Sequence, residues 1–166
     1  MRIVLFLIIA LFSYQSYSQK NIEFYLKDQT QIKIKALNNF EKLEISNSKN
    51  DKTQIINNLE ESLTEKETNF IIEDYNFDGF NDFAVYRLDD GMGVYSIYQI
   101  FIYNQKNQAF AKLKMPSNCD PKCDEFCDVQ INKKQKTFDS SCRGGAQWHT
   151  DVWKFDKNNN LLLLNK

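Results

Sequence analysis

The chain has 166 residues, 42% hydrophobic and 14% aromatic, which is enough for one globular domain with its own core. Its five glycines and two prolines are too few for a fibrous or low-complexity protein. The formal net charge of −1 excludes a strongly basic surface of the kind that binds nucleic acid or anionic lipid.

Residues 1–18 have the features of a secretory signal peptide. Arg2 precedes an apolar run at residues 3–12, and small residues lead to a cleavage position that we place after Ser18. An uncleaved anchor is the alternative, but the apolar run is too short for a permanent transmembrane helix. No cysteine precedes Cys119, so the segment has no acceptor for bacterial lipid attachment. We therefore expect an exported protein, periplasmic or secreted, that is not a lipoprotein and has no membrane span after signal cleavage.

Residues 19–166 are expected to form a single all-β domain. Alternating residues or short apolar runs predict strands at 21–28, 31–35, 41–46, 69–74, 82–88, 95–104, 109–114, a hairpin at 128–141, and strands at 147–156 and 160–166. The strand at 95–104 is apolar at nearly every position, which predicts burial on both faces. Segment 53–68 is ambiguous, because its first half suits a strand and LEESLTEKE could form one or two helical turns. Strand signals at about every 8–12 residues predict short antiparallel strands in a small propeller-like or sandwich arrangement.

The segment DYNFDGFND, residues 74–82, places an acid or an amide at almost every second position between two predicted strands. The side chains with oxygen at positions 1, 3, 5 and 9 of this segment are Asp74, Asn76, Asp78 and Asp82. Gly79 permits a sharp turn, after which the Phe80 backbone carbonyl can face the same centre. Hard cations such as Ca²⁺ bind about six to eight oxygens from carboxylates, amides and carbonyls. The spacing therefore predicts a calcium site, and a polar turn whose side chains bind backbone N–H groups is the alternative.

The flanks of this segment distinguish it from an EF-hand. An EF-hand loop carries Glu at position 12 and lies between helices, whereas position 12 here is Val85 and both flanks are predicted strands. A cation held in this segment would join two neighbouring strands, which is a structural role.

The stretch DYNFDGFNDFAVYR resembles the calcium loops of FG-GAP and integrin-α propeller blades. It is more similar to a family of small exported bacterial proteins with one such loop, a Tyr-rich strand of the YSIYQIFIYN kind and a C-terminal segment similar to SSCRGGAQWHTDVWKFDKNNNLLLLNK. The similarity covers roughly residues 54–166 and is most specific at 72–86. The family includes calcium-binding, propeller-like immunity proteins that inhibit lysozyme-like effectors of antibacterial secretion systems.

The resemblance has implications for both the ligands and the partner. It implies the same calcium ligands as the spacing, namely Asp74, Asn76, Asp78 and Asp82 with Phe80 through its backbone. It also implies a protein partner, a peptidoglycan hydrolase, but no motif in the chain matches an inhibitory loop. We therefore expect an exported, calcium-stabilised inhibitor of the immunity or lysozyme-inhibitor type. A calcium-dependent adhesion or carbohydrate-binding module is the alternative.

Four cysteines in an exported chain predict disulfide bonds; they are Cys119, Cys123, Cys127 and Cys142. If Ile131 faces Phe138 across the predicted hairpin, the same register places Cys127 opposite Cys142. This register predicts a bond between Cys127 and Cys142 and, by elimination, one between Cys119 and Cys123. Zinc is the alternative, although the spacing is unusual for a structural zinc site.

The sequence contains no recognisable catalytic motif, and we expect no enzymatic activity. His149 is the only histidine, and its alternation with Asp151 and Trp153 favours an ordinary strand position. The glutamates at 60–67 are expected to form a solvated charged segment, although paired carboxylates for glycoside cleavage are an alternative. The acidic segment DPKCDEFCD, residues 120–128, is expected to be a solvated loop, with a second cation site or a recognition loop for a basic partner as alternatives.

Overall fold

The computed structural model describes residues 20–164, so the predicted signal peptide lies outside the described residues. The strands in chain order are β1 (Asn21–Tyr25), β2 (Gln31–Leu37), β3 (Lys42–Asn47), β4 (Asn50–Asn57), β5 (Asn69–Glu73), β6 (Asp82–Leu88), β7 (Ser96–Asn104), β8 (Ala109–Lys112), β9 (Phe126–Cys127), β10 (Gln130–Asn132), β11 (Thr137–Gly144), β12 (Gln147–Phe155) and β13 (Leu161–Leu163). One turn of 3₁₀ helix, Asn38–Phe40, joins β2 to β3. Within residues 20–164 there is no helix with the length and apolarity needed to cross a membrane.

These strands form three antiparallel sheets, which confirms the all-β prediction. The first sheet has the order β1-β2-β3-β4, the central sheet β5-β6-β7-β8, and the third sheet β10-β11-β12-β13. The short strand β9 pairs with the part of β7 that precedes its pairing with β8. Each sheet is therefore a meander of strands that follow one another in the chain, as expected where turns are short and polar.

The central sheet lies between the other two. One apolar cluster contains Phe83 and Phe101 of the central sheet together with Leu43 of the first sheet. A second cluster contains Ile100 of the central sheet and Trp153 of the third sheet. Residues 99–103 of β7 are buried without interruption, so the predicted burial of this strand on both faces is confirmed.

Segment 58–68, for which one or two helical turns were an alternative, contains no helix. β4 ends at Asn57, and Leu59 is buried in the cluster between the first and central sheets. The Gln99 side chain then holds the backbone of Glu60, accepting its N–H at 3.2 Å and donating to its carbonyl at 3.0 Å. Tertiary contacts therefore fix an irregular path with a turn at 63–64, where a helical turn was the alternative.

The predicted disulfide pairing is wrong. The structure contains a bond between Cys123 and Cys142, and Cys119 and Cys127 are free thiols. Neither the predicted bond between Cys127 and Cys142 nor the one between Cys119 and Cys123 is present. The bond that does form attaches the acidic segment at 120–128 to β11.

The predicted cysteine pairing is wrong because the strand is interrupted just before β10. The predicted hairpin register is confirmed, because Ile131 pairs with Phe138. It cannot be extended to Cys127, because the backbone at Asp128 has a positive φ of 39° and changes direction there. Cys127 pairs with β7 instead, and its N–H donates to the Ser140 hydroxyl at 2.8 Å.

Candidate metal centre

The loop predicted to bind calcium joins β5 to β6 in the central sheet. The two strands pair directly at Glu73 and Asp82, so the loop leaves and re-enters the sheet at one place. Gly79 has a φ of 88°, a conformation that favours glycine. The Asn81 side chain donates to the Tyr25 carbonyl at 2.8 Å, which attaches the loop to the first sheet.

The side chains at the first positions of the loop turn inward and bind its own backbone. The Asp74 carboxylate accepts the N–H groups of Asp78 at 3.1 Å and of Gly79 at 2.9 Å. The Asn76 side chain also accepts the Asp78 N–H, at 3.2 Å, and donates to the Asp78 carboxylate at 3.1 Å. The other Asp78 oxygen accepts the Phe80 N–H at 2.8 Å. The structure therefore brings Asp74, Asn76 and Asp78 together.

Asp82 is the last residue of the loop and the first of β6, and it is fully buried. One of its oxygens accepts the Tyr75 N–H at 2.9 Å, and the other accepts the Tyr103 N–H at 2.8 Å on β7. Burial raises the pKa of the Asp82 carboxyl to about 8, although the two backbone bonds oppose this shift. The charges of Asp78 and Asp74 add smaller upward contributions to this pKa.

The side chain of Phe80 packs against β7, in addition to the predicted ligand role of its backbone carbonyl. Its ring stacks on Tyr103, with ring centroids 5.9 Å apart, so the loop is fixed to the strand that Asp82 also holds. Among residues 20–164, no group of three or more His, Cys, Asp or Glu side chains is arranged to hold a metal ion. The contacts present are those of the polar-turn alternative, in which backbone N–H groups bind the carboxylates.

Two neighbours of this loop could not be predicted from the sequence. A Cβ atom at Gly79 would lie 3.2 Å from the ammonium nitrogen of Lys27, so this lysine of the β1–β2 turn reaches the loop. Tyr103 supplies both a backbone donor and a ring from β7. Neither residue forms part of a motif, and only the packing of the sheets brings them to the loop.

The other candidate residues lie apart from this loop. His149 lies in β12 opposite Cys142, which confirms an ordinary strand position. Glu60 forms an ion pair with Lys112 at 2.5 Å. The other glutamates of this segment, Glu61, Glu65 and Glu67, are exposed.

The acidic segment at 120–128 is folded back onto the third sheet. The buried Asp151 carboxylate accepts the N–H groups of Lys122 at 3.1 Å and Cys123 at 2.9 Å. Asp128 accepts the Ser96 N–H at 2.7 Å, which attaches the segment to β7 as well. This arrangement leaves Asp124 and Glu125 in one cleft with Glu60.

No protein-family model, curated protein or solved structure matches the chain.

Proposed function

We propose that the loop at residues 74–82 binds one calcium ion in an exported, non-catalytic protein that inhibits a peptidoglycan hydrolase. The observation that carries the calcium proposal is the position of Asp82. This carboxylate is fully buried at the end of the loop, and its two oxygens accept the N–H groups of Tyr75 and Tyr103. A divalent cation bound there would neutralise a cluster of negative charge that burial makes costly.

The donor atoms of the loop fit calcium in kind. Asp74, Asp78 and Asp82 offer carboxylate oxygens, Asn76 an amide oxygen, and Phe80 a backbone carbonyl, all of which are hard ligands. A carboxylate oxygen that accepts one N–H keeps a second lone pair for a cation. The ion would stabilise the joint between β5, β6 and β7, because Asp82 already binds Tyr103. Its role would be structural.

We also propose that the fold is propeller-like, and the arrangement of the three sheets supports this. A meander of four antiparallel strands is the unit from which β-propeller blades are built. The three sheets of this chain each follow that order, and the central one is covered on both faces. The candidate calcium loop joins the first two strands of the central meander.

The inhibitory part of the proposal rests on the resemblance of the loop and its flanks to calcium-binding immunity proteins. A rigid segment of the protein would block the glycan cleft of the hydrolase by filling it. Calcium titration calorimetry on the mature protein, with a turbidity assay of peptidoglycan lysis, tests both parts. We expect one bound calcium per chain and slower lysis by at least one hydrolase. If the titration shows no heat of calcium binding, the proposed calcium site is refuted. If lysis by muramidases, glucosaminidases and amidases is not slowed, the proposed inhibition is refuted.

A calcium-dependent carbohydrate-binding module is the second candidate, and one cleft favours it. The cleft has a volume of about 550 Å³ and borders the calcium loop at Asp78. Tyr103 and Phe155 contribute aromatic groups to its lining, and Asn158 and Lys106 contribute polar groups. Such a combination suits a polyhydroxylated ligand. Binding on a glycan array that disappears with a calcium chelator would favour this candidate.

A further inference from the structure

Two apolar side chains stand out on the surface by their exposure. Leu63 is 91% exposed and Met92 is 66% exposed, the two highest values for large hydrophobic residues among residues 20–164. They belong to different loops, the β4–β5 loop at 58–68 and the β6–β7 loop at 89–95. We refer to the two loops together as the apolar tip.

One carboxylate joins the two loops of the apolar tip. Asp90 accepts hydrogen bonds from both neighbours of the exposed leucine, from the Ser62 hydroxyl and from the Thr64 N–H at 3.1 Å and hydroxyl at 2.8 Å. Its other oxygen pairs with Arg87 at 2.9 Å. The exposed methionine lies only two residues further along the chain. The exposed leucine and the exposed methionine therefore belong to two loops that Asp90 holds together.

A second carboxylate fixes the shape of the β6–β7 loop. Asp89 is buried, and its oxygens accept the N–H groups of Gly91 at 2.6 Å and Val94 at 3.2 Å. Its own N–H donates to the Tyr95 carbonyl at 2.9 Å, which closes the base of the loop. A surface that is already ordered loses little conformational entropy on binding. Contiguous apolar surface marks interaction sites, and two apolar side chains on joined, ordered loops could form the centre of one.

Acidic side chains outnumber basic ones around the apolar tip. Glu61 and Glu65 are exposed two residues on either side of the exposed leucine. The neighbouring cleft of about 380 Å³ is lined by three acids, Glu60, Asp124 and Glu125, and by two lysines, Lys112 and Lys114. Glu60 is paired with Lys112. Burial raises the pKa of Glu125, and the charge of Glu60 raises it as well. A partner surface of positive charge would complement this rim.

We propose that the apolar tip is the surface that docks on the partner, and that the partner is a basic protein with an apolar recess for Leu63 and Met92. This proposal rests on the proposed inhibitory function, for which it supplies the contact surface. It does not depend on the calcium loop.

The test compares two variants in the peptidoglycan turbidity assay, with purified basic muramidases, glucosaminidases and amidases as probes. The first is the double variant Leu63→Ala/Met92→Ala, which removes both side chains without adding charge. The matched control is Tyr25→Ala, which removes a side chain that is 56% exposed on β1. Thermal melting of each variant verifies that it is folded. We expect the double variant to lose at least about tenfold in inhibitory potency and the control to keep it.

A second variant, Asp90→Asn, weakens the anchor and leaves both apolar side chains in place. We expect it to reduce potency less than the double variant does, and we expect inhibition by the wild type to weaken with rising salt. Equal potency of the double variant and the wild type would overturn the proposal that the apolar tip is the docking surface, but would leave the proposed inhibitory function intact. Failure of the wild type against every hydrolase would overturn the inhibitory function and this surface together. Co-sedimentation of the wild type, but not the double variant, with phosphatidylcholine vesicles would assign the tip to membranes and overturn a protein partner.

Discussion

The carboxylate of Asp82 on β6 accepts a hydrogen bond of 2.8 Å from the backbone N–H of Tyr103 on β7, the neighbouring strand of the central sheet. The same carboxylate accepts the Tyr75 N–H near the start of the loop at residues 74–82. One buried side chain therefore links the loop to two strands.

The substitution Asp82→Ala tests this link. It leaves two buried N–H groups without acceptors, and each such group costs about 1–3 kcal/mol. We expect the free energy of unfolding to fall by at least about 2 kcal/mol in urea with a calcium chelator present. Asp120→Ala, at an exposed position, is the control, and its effect should stay within about 0.5 kcal/mol. Equal stability of the two variants would show that Asp82 does not hold the loop.

Calcium should raise the melting temperature of the wild type, because a ligand that binds only the folded state stabilises it. At a free concentration of one hundred times Kd, the stabilisation is about 2.7 kcal/mol. Asp78→Ala removes one carboxylate of the proposed site, so we expect its melting temperature to respond neither to calcium nor to a chelator. Differential scanning calorimetry measures both responses, and Asp120→Ala should behave as the wild type does. A full calcium response in Asp78→Ala would exclude this loop as the site.

Much of the fold could be predicted because alternation along each strand shows which side chains are buried. Ile32 and Ile34 alternate with exposed lysines in β2, and the hairpin register followed from pairing apolar residues. The disulfide could not be predicted, because the change of direction at Asp128 depends on the pairing of β9 with β7. Local spacing carries no information about such a distant contact.

The candidate site was predictable in its residue types but not in its surroundings. The alternation of Asp74, Asn76 and Asp78 indicated inward-facing oxygens, and these side chains do meet. Lys27 and Tyr103 reach the loop from strands and turns far away in the sequence. Their positions depend on how the three sheets pack, which no motif specifies.

Acid should weaken the turn between β1 and β2 through Asp28. Hydrogen bonds from Lys49 and Thr30 hold the pKa of the Asp28 carboxyl at about 2, below its usual value of 3.8. A lowered pKa means that the stabilisation is complete above pH 3.8 and is lost as the pH falls towards 2. We expect Asp28→Asn to have a lower melting temperature than the wild type at pH 6, and a smaller difference at pH 2. A difference that stays constant across this range would contradict the proposed ionic origin.

The two free cysteines should differ in reactivity. Cys127 is buried, and burial raises the pKa of its thiol to about 12, so very little reactive thiolate is present near neutral pH. Cys119 is only partly buried. We expect iodoacetamide at pH 8 to label Cys119 in the folded protein and to label Cys127 only after denaturation. Mass spectrometry of the labelled peptides measures this, and fast labelling of Cys127 in the native protein would contradict its position.

Removing the disulfide should destabilise the protein because the bond closes a loop between residues separated by 19 positions. A loop of this size contributes about 3 kcal/mol by restricting the unfolded chain. We expect the double variant Cys123→Ala/Cys142→Ala to lose stability of that order in urea, while Cys119→Ala, its control, changes little. Non-reducing peptide mapping of the wild type should recover a peptide that links Cys123 to Cys142. Recovery of a link between Cys127 and Cys142 would instead support the pairing that the extended hairpin register predicts.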